Sequence, residues 1–202
     1  MDPHDALSLN KSVVQVYPLS NYSVGAKAAL KDKGISITER LERMQEKYEA
    51  EGLRRSVEGI VLVAQHNYPH VLLLQADGYW RLPGGRLRPG EGEVEGLLRK
   101  LNNKLGPTSG STDWEIVDCV GTWWRPNFDT ILYPYVPPHV TRPKEQKKLF
   151  VAQLPEKCSF AVPKNFKLMA VPLFELYDKT QRYGPVISHI PQLLSRFKIN
   201  MS

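Results

Sequence analysis

The side chains best placed to do chemistry in this 202-residue chain concentrate between Gly85 and Gly106. A Gly/Pro-rich loop from Pro83 to Gly92 runs into a helical pattern with an apolar stripe of Val94, Leu97, Leu98, Leu101 and Leu105. Gly106-Pro107 stops it. Lys100, Asn103 and Lys104 stand at i, i+3 and i+4, so they share one face of that helix. Carboxylates at that spacing would suit a hard dication, which needs oxygen ligands, whereas two ammonium groups and an amide repel it. Glu91 is a single carboxylate and a poor metal site alone. No metal, no cofactor and no catalytic residue is expected from this set.

A chain of this length with 42% hydrophobic residues can bury one substantial core. The expected organisation is an extension over residues 1–50, holding a strand and an amphipathic helix, followed by one domain over residues 51–202. The longest apolar runs, Ile60 to Ala64 and Val71 to Leu74, fall far short of the roughly 20 residues that cross a bilayer. No basic-then-apolar leader opens the sequence, so a soluble, non-secreted protein is expected. Cys119 and Cys158 lie far apart without clustered histidines, which argues against a disulfide framework or a zinc site. The formal charge of +6 favours a polyanionic partner, although a solvated basic face explains it equally well.

Several elements must position these residues. Val13 to Tyr17, ended by Pro18, predicts a strand, and the first dozen residues carry no pattern. Ser36-Ile37-Thr38-Glu39 is a capping box, and Ile37, Leu41, Met44 and Tyr48 recur at helical spacing up to Gly52. Ser56 to Gln65 and Val71 to Gln75 read as a hairpin-like pair, followed by the polar-aromatic tip Asp77-Gly78-Tyr79-Trp80. Strands are expected at Trp114 to Trp124 and Lys148 to Leu154, separated by a packed proline-rich loop from Pro126 to Pro143. A short helix at Pro172 to Tyr177 and one continuous helix at Pro185 to Phe197 complete the pattern. Strands interspersed with helices predict a three-layer α/β or α+β domain with a mixed sheet.

Gly85, Glu91, Arg99, Leu101 and Gly106 fall in the register of the Nudix box, and Leu82 to Gly85 supplies the Leu-Pro-Gly-Gly lead-in common there. An ordinary amphipathic helix would explain the leucines but not that register. The chain therefore resembles the Nudix family and implies its fold. In active members, glutamates at the places of Lys100, Asn103 and Lys104 hold Mg²⁺ against a pyrophosphate. The resemblance thus implies a fold retained without hydrolysis. Further stretches, among them Tyr17 to Tyr22, Trp123 to Phe128, Phe160 to Asn165 and Pro191 to Phe197, look like the small subunits of pre-mRNA cleavage factor Im. These are Nudix-fold proteins of pre-mRNA 3′-end processing, and the similarity runs from about Val13 to the C-terminus.

This second resemblance implies binding of single-stranded UGUA elements, a homodimer, a larger subunit carrying an RRM, other 3′-end processing factors as partners, and a nuclear location. Carried over by position, the base-contacting residues are Arg40 and Glu58, and the stacking aromatic is Tyr79 beside Trp80. Leu82 and the Tyr183-Gly184 turn close the pocket. Asp32 stands where the animal protein has a glutamate. The chemistry suits these roles: Glu58 accepts from base N–H edges, Arg40 donates to carbonyls, and Tyr79 offers a π-face. Competing readings stand beside them. Glu58 also suits a structural carboxylate paired with Arg54 or Arg55, Arg40 a solvated helix residue, and Tyr79 and Trp80 core positions. Trp123 and Trp124 read as core. An active hydrolase of nucleoside diphosphate derivatives and a scaffold without RNA affinity are the alternative functions.

Overall fold

The computed structural model describes residues 12–30 and 36–202. The patternless N-terminus up to Lys11 and the position Asp32 lie outside the described residues. In chain order the elements begin with β1 (Val13–Val16), β2 (Tyr22–Lys27) and α1 (Ile37–Glu51). The strands β3 (Arg54–Gln65), β4 (Tyr68–Ala76), β5 (Tyr79–Arg81) and β6 (Gly84–Arg86) follow, then α2 (Glu93–Leu105). After them come β7 (Glu115–Arg125), β8 (Glu145–Gln153), β9 (Cys158–Pro163) and β10 (Lys167–Pro172). Four short helices, α3 (Leu173–Leu176), α4 (Thr180–Tyr183), α5 (Pro185–Ser188) and α6 (Ile190–Leu193), precede β11 (Lys198–Met201).

A mixed seven-stranded sheet, ordered β10-β4-β3-β8-β7 with β5 on β4 and β6 on β3, forms the middle layer. Its central strands are apolar at consecutive positions because both faces are covered. Ile60, Leu62, Leu149 and Val151 join one core with Leu176, Ile190 and Leu194 of the C-terminal helical region. The alternate residues Val61, Val63, Phe150 and Ala152 join a second core with Leu97, Leu101 and Leu105 of α2. The expected three-layer mixed α/β arrangement is therefore present. The N-terminal strands add to later parts of the chain: β1 runs parallel to β11 and β2 parallel to β9.

The β3–β4 hairpin turns on His66 and Asn67, both in the left-handed region at φ 51° and 62°. Two such residues in succession suit the tight turn whose twist matches the flanking strands. Two expectations change. The loop from Pro83 to Gly92 contains β6, because Gly84 and Gly85 pair antiparallel with Glu58 and Val57. The helix expected over Pro185 to Phe197 is broken into α5 and α6 around His189. Pro191 has no N–H to continue the ladder of backbone bonds, so the helix restarts there.

Candidate functional site

An open groove of about 480 Å³ lies between α1, the β3–β6 strands and the C-terminal helices. All seven residues named from the sequence, Arg40, Glu58, Tyr79, Trp80, Leu82, Tyr183 and Gly184, line it. Each is delivered by a different local device.

Arg40 comes from the first turn of α1, where the capping box closes: Glu39 N donates to Ser36 Oγ at 3.2 Å and Ser36 N to Glu39 Oε2 at 3.0 Å. The stripe of α1 is not fully buried; Ile37, Leu41 and Met44 line the groove beside Arg40. Tyr48, the last of the stripe, packs edge-on against Phe128 at 5.6 Å, with the Lys144 ammonium 4.3 Å above the Tyr48 ring. The proline-rich loop thus anchors the far end of α1. That loop is itself tied back, since Trp124 and Tyr133 exchange backbone hydrogen bonds of 2.7 and 2.8 Å.

Tyr79 opens β5 directly after the turn at Asp77 and Gly78, whose φ values are 52° and 77°. Tyr79 is 55% exposed, so its ring is open to a stacking partner. Trp80 is half-buried and lies 5.2 Å from the buried Tyr183 ring. Leu82 is buried beneath them, and Trp123, as expected, belongs to the core. Burial first, then the hydrogen bond to Glu175, raises the Tyr183 hydroxyl to about 12. Gly184 takes φ +82° between α4 and α5, a value that favours glycine.

Glu58 is held by neither arginine named as its structural partner. Arg54 pairs with Glu145 at 3.1 Å and Arg55 with Glu93 at 3.1 Å. Glu58 Oε1 instead accepts from Lys147 Nζ at 2.7 Å. Lys147 was not singled out in the sequence, where nothing marks it off from Lys148. It reaches Glu58 because β3 and β8 run parallel with Ser56 opposite Lys147. Below this pair, Glu145 is 3% exposed and accepts from Ser56 Oγ at 2.7 Å and Arg125 Nε at 3.0 Å. Burial opposes its ionisation, but the charges of Arg54 and Lys147 and the Ser56 bond outweigh this and hold it at about 2. Arg125 and Lys147 were missed by sequence reasoning, and Arg54 was named there only as a candidate partner of Glu58.

Among the described residues the groove is lined by six cations, Arg40, Arg54, Arg81, Lys104, Arg125 and Lys147, against the carboxylates of Glu58 and Glu145. Both oxygens of Glu145 are engaged, so among the described residues Glu58 is the groove carboxylate with an oxygen left to accept, in a positive surround. Gly84 brings the backbone close at this point. A Cβ there would meet Val57 O at 2.2 Å, and Glu58 Cγ would be 3.0 Å away.

The Nudix box residues have a different fate. Glu91 accepts from Arg99 Nε and Nη2, both at 2.6 Å, and from Arg88 N at 2.8 Å. The Arg99 hydrogen bond, the largest influence, carries the Glu91 carboxyl down to about 2. Its lone pairs thus serve the loop that precedes α2. Lys100 is half-buried, and burial lowers its ammonium from the ordinary value. Lys104 lies 4.5 Å over the Phe166 ring. Among the described residues no three His, Cys, Asp or Glu side chains gather as a metal-binding group. The Mg²⁺ of the hydrolytic family does not fit a face bearing Lys100, Asn103 and Lys104.

Comparison with known proteins agrees with this architecture. The family model NUDIX_2, described as nucleotide hydrolase, matches residues 12–197. The chain is 60% identical over 192 residues to the pre-mRNA cleavage factor Im 25 kDa subunit 2 of Arabidopsis thaliana, covering 94% of this chain and 96% of that protein. It is 55% identical over 181 residues to cleavage and polyadenylation specificity factor subunit 5 of Dictyostelium discoideum, covering 88% and 90% of the two chains. Subunit 1 of the Arabidopsis factor is 50% identical over 192 residues, with coverage of 94% and 86%.

Proposed function

The chain belongs to the Nudix family alongside the small subunits of pre-mRNA cleavage factor Im, and from that premise we propose that it acts in pre-mRNA 3′-end processing by binding single-stranded UGUA-type RNA without hydrolysing nucleotides. The observation that carries this reading is the groove. It brings Glu58, with its second carboxylate oxygen open to a partner, together with the exposed ring of Tyr79 and the guanidinium of Arg40 on a cationic surface.

Each feature matches a part of single-stranded RNA. Splayed bases stack on aromatic rings and present Watson–Crick edges for hydrogen bonding. Glu58 has one oxygen on Lys147 and a second to accept base N–H groups. Arg40 donates to base carbonyls, Tyr79 stacks, and Trp80 with Leu82, Tyr183 and Gly184 shapes the pocket. The surrounding cations attract phosphates. Hydrolysis is disfavoured because Glu91 is committed to Arg99 and the metal face carries ammonium groups. The nucleus is the compartment that this role requires. A homodimer doubles short-element readers and raises effective concentration. Exposed Ile131, Tyr135 and Val136 on the proline-rich loop offer an apolar surface for a second copy or a larger RRM-bearing subunit.

The test is a titration of UGUA-containing and scrambled oligomers with the parent and Glu58→Ala. The parent should prefer UGUA. Glu58→Ala should lose about 1–3 kcal/mol of that preference while melting as the parent does. A parent that binds both oligomers alike, or neither, overturns the proposal.

A further inference from the structure

Lys100 stands out among the cations near the groove. It makes no hydrogen bond or ion pair with the described residues, yet it is half-buried and its ammonium is partly desolvated. Its Cε and Nζ lie 3.3 and 3.4 Å from the point where a side chain on Gly85 would begin. The ammonium therefore rests on the backbone of Gly85, which lines the groove. Gly85 pairs with Val57, whose side chain faces α2, and its neighbour Gly84 pairs with Glu58, whose side chain leaves the sheet on the other face. Lys100 and Glu58 therefore flank the short β6 strand from its two sides.

The charges of the described residues around Lys100 do not supply a free counter-ion. Arg99, Arg88 and Arg54 act on it with the same sign. The carboxylate among the described residues that acts on it, Glu91, is taken by Nε and Nη2 of Arg99 and by Arg88 N. Lys104 follows one turn later on the same face and itself lines the groove. A partly desolvated cation is stabilised by pairing, and neighbouring cations with an open backbone beside them make a concave positive surface. Lys100 packs on Gly85, and Lys104 lines the groove together with Gly84 and Gly85, which contribute no side chain to obstruct a ligand.

We propose that Lys100, seated on Gly85 and supported by Lys104, forms a metal-free phosphate site that holds the RNA backbone next to the base read by Glu58. The inference rests on the RNA-binding reading above and adds a division of labour to it. The β3 strand carries base selection, and the α2 face carries a contact that is blind to sequence. The phosphate supplies the counter-ion that Lys100 lacks among the described residues.

The experiment measures binding of UGUA-containing and scrambled oligomers by fluorescence anisotropy over a series of KCl concentrations, with the parent, K100M and K100R. For single strands each phosphate contact contributes about 0.7 to the slope of log K against log salt. K100M should lower that slope by about 0.7 and weaken both oligomers by the same factor, leaving the preference for UGUA intact. K100R should restore the slope. An unchanged slope in K100M, with the parent's UGUA preference present, overturns the phosphate site alone. A parent without RNA affinity overturns both readings at the first titration. ATP added at constant ionic strength separates the two sources of phosphate. ATP binding that is lost in K100M while the RNA salt slope stays that of the parent would assign the site to a free nucleotide and overturn the backbone assignment.

Discussion

Lys147 Nζ donates to Glu58 Oε1 at 2.7 Å across the parallel strands β8 and β3. Ser56 is the residue opposite Lys147, so the pair lies on a diagonal along one face of the sheet. Both side chains are largely withdrawn from solvent, at 18% and 16% exposure. The lysine thereby orients the carboxylate and leaves Oε2 without a partner among the described residues.

Replacing Lys147 by Met removes this orientation and should reduce the preference for UGUA over a point-changed oligomer. Lys147→Arg should retain most of it. Paired titrations of both RNAs check the outcome. If Lys147→Met weakens the two RNAs by one common factor, the lysine contacts phosphate and does not position Glu58.

Tyr79→Ala should cost about 1–3 kcal/mol of RNA affinity, because the lost term is stacking. The preference between sequences should change less than in Glu58→Ala, since every base offers a π-face. The side chain is 55% exposed, so the melting temperature should stay near that of the parent. A Tyr79→Ala protein with parental affinity would remove the ring from the binding surface.

Glu91 links stability to pH. Its folded-state value is about 2 against an ordinary 4.5, so its stabilisation is present above the unfolded value and is lost as pH falls towards 2. Denaturant melts of the parent should lose stability over that window. Glu91→Gln should start less stable, by roughly 1.5–3 kcal/mol for a charged hydrogen bond, and show a shallower loss. Glu145, also near 2, keeps part of the slope in the variant. Equal slopes for parent and variant would contradict the Arg99 pairing.

Restoring carboxylates with the triple variant K100E/N103E/K104E should not yield an efficient hydrolase. Glu91 would still be bound to Arg99, and a reacting phosphate would lack a positioned water. Magnesium-dependent phosphate release from a panel of dinucleoside polyphosphates measures this. Turnover at ordinary enzyme rates, about 1 per second or more, would show that missing ligands alone account for silence.

The legible parts of the molecule were those set by neighbours in the chain. The capping box at Ser36 and Glu39, the leucine stripe of α2 and the turn between β3 and β4 depend on contacts a few residues apart, and the sequence showed each. The β6 strand was hidden in a Gly/Pro-rich loop because its pairing with β3 spans a long stretch of chain. The break at His189 was missed because the apolar spacing continues through Pro191, although the backbone ladder does not. Strands β2, β9 and β10 carried no local signal strong enough to be named.

The candidate site divides along the same line. By itself the sequence determined the Nudix register, the ammonium groups at Lys100 and Lys104, and the set of residues from Arg40 to Gly184 that the resemblance carried over. Residue type and spacing are enough for such statements. Only the tertiary structure decided that these seven residues line one groove, that Glu58 is paired with Lys147 and neither Arg54 nor Arg55, and that Lys100 has no counter-ion among the described residues. Which charges meet depends on strand register and on the packing of α2 against the sheet. Side chains 89 residues apart become partners only when parallel strands bring them within hydrogen-bonding distance.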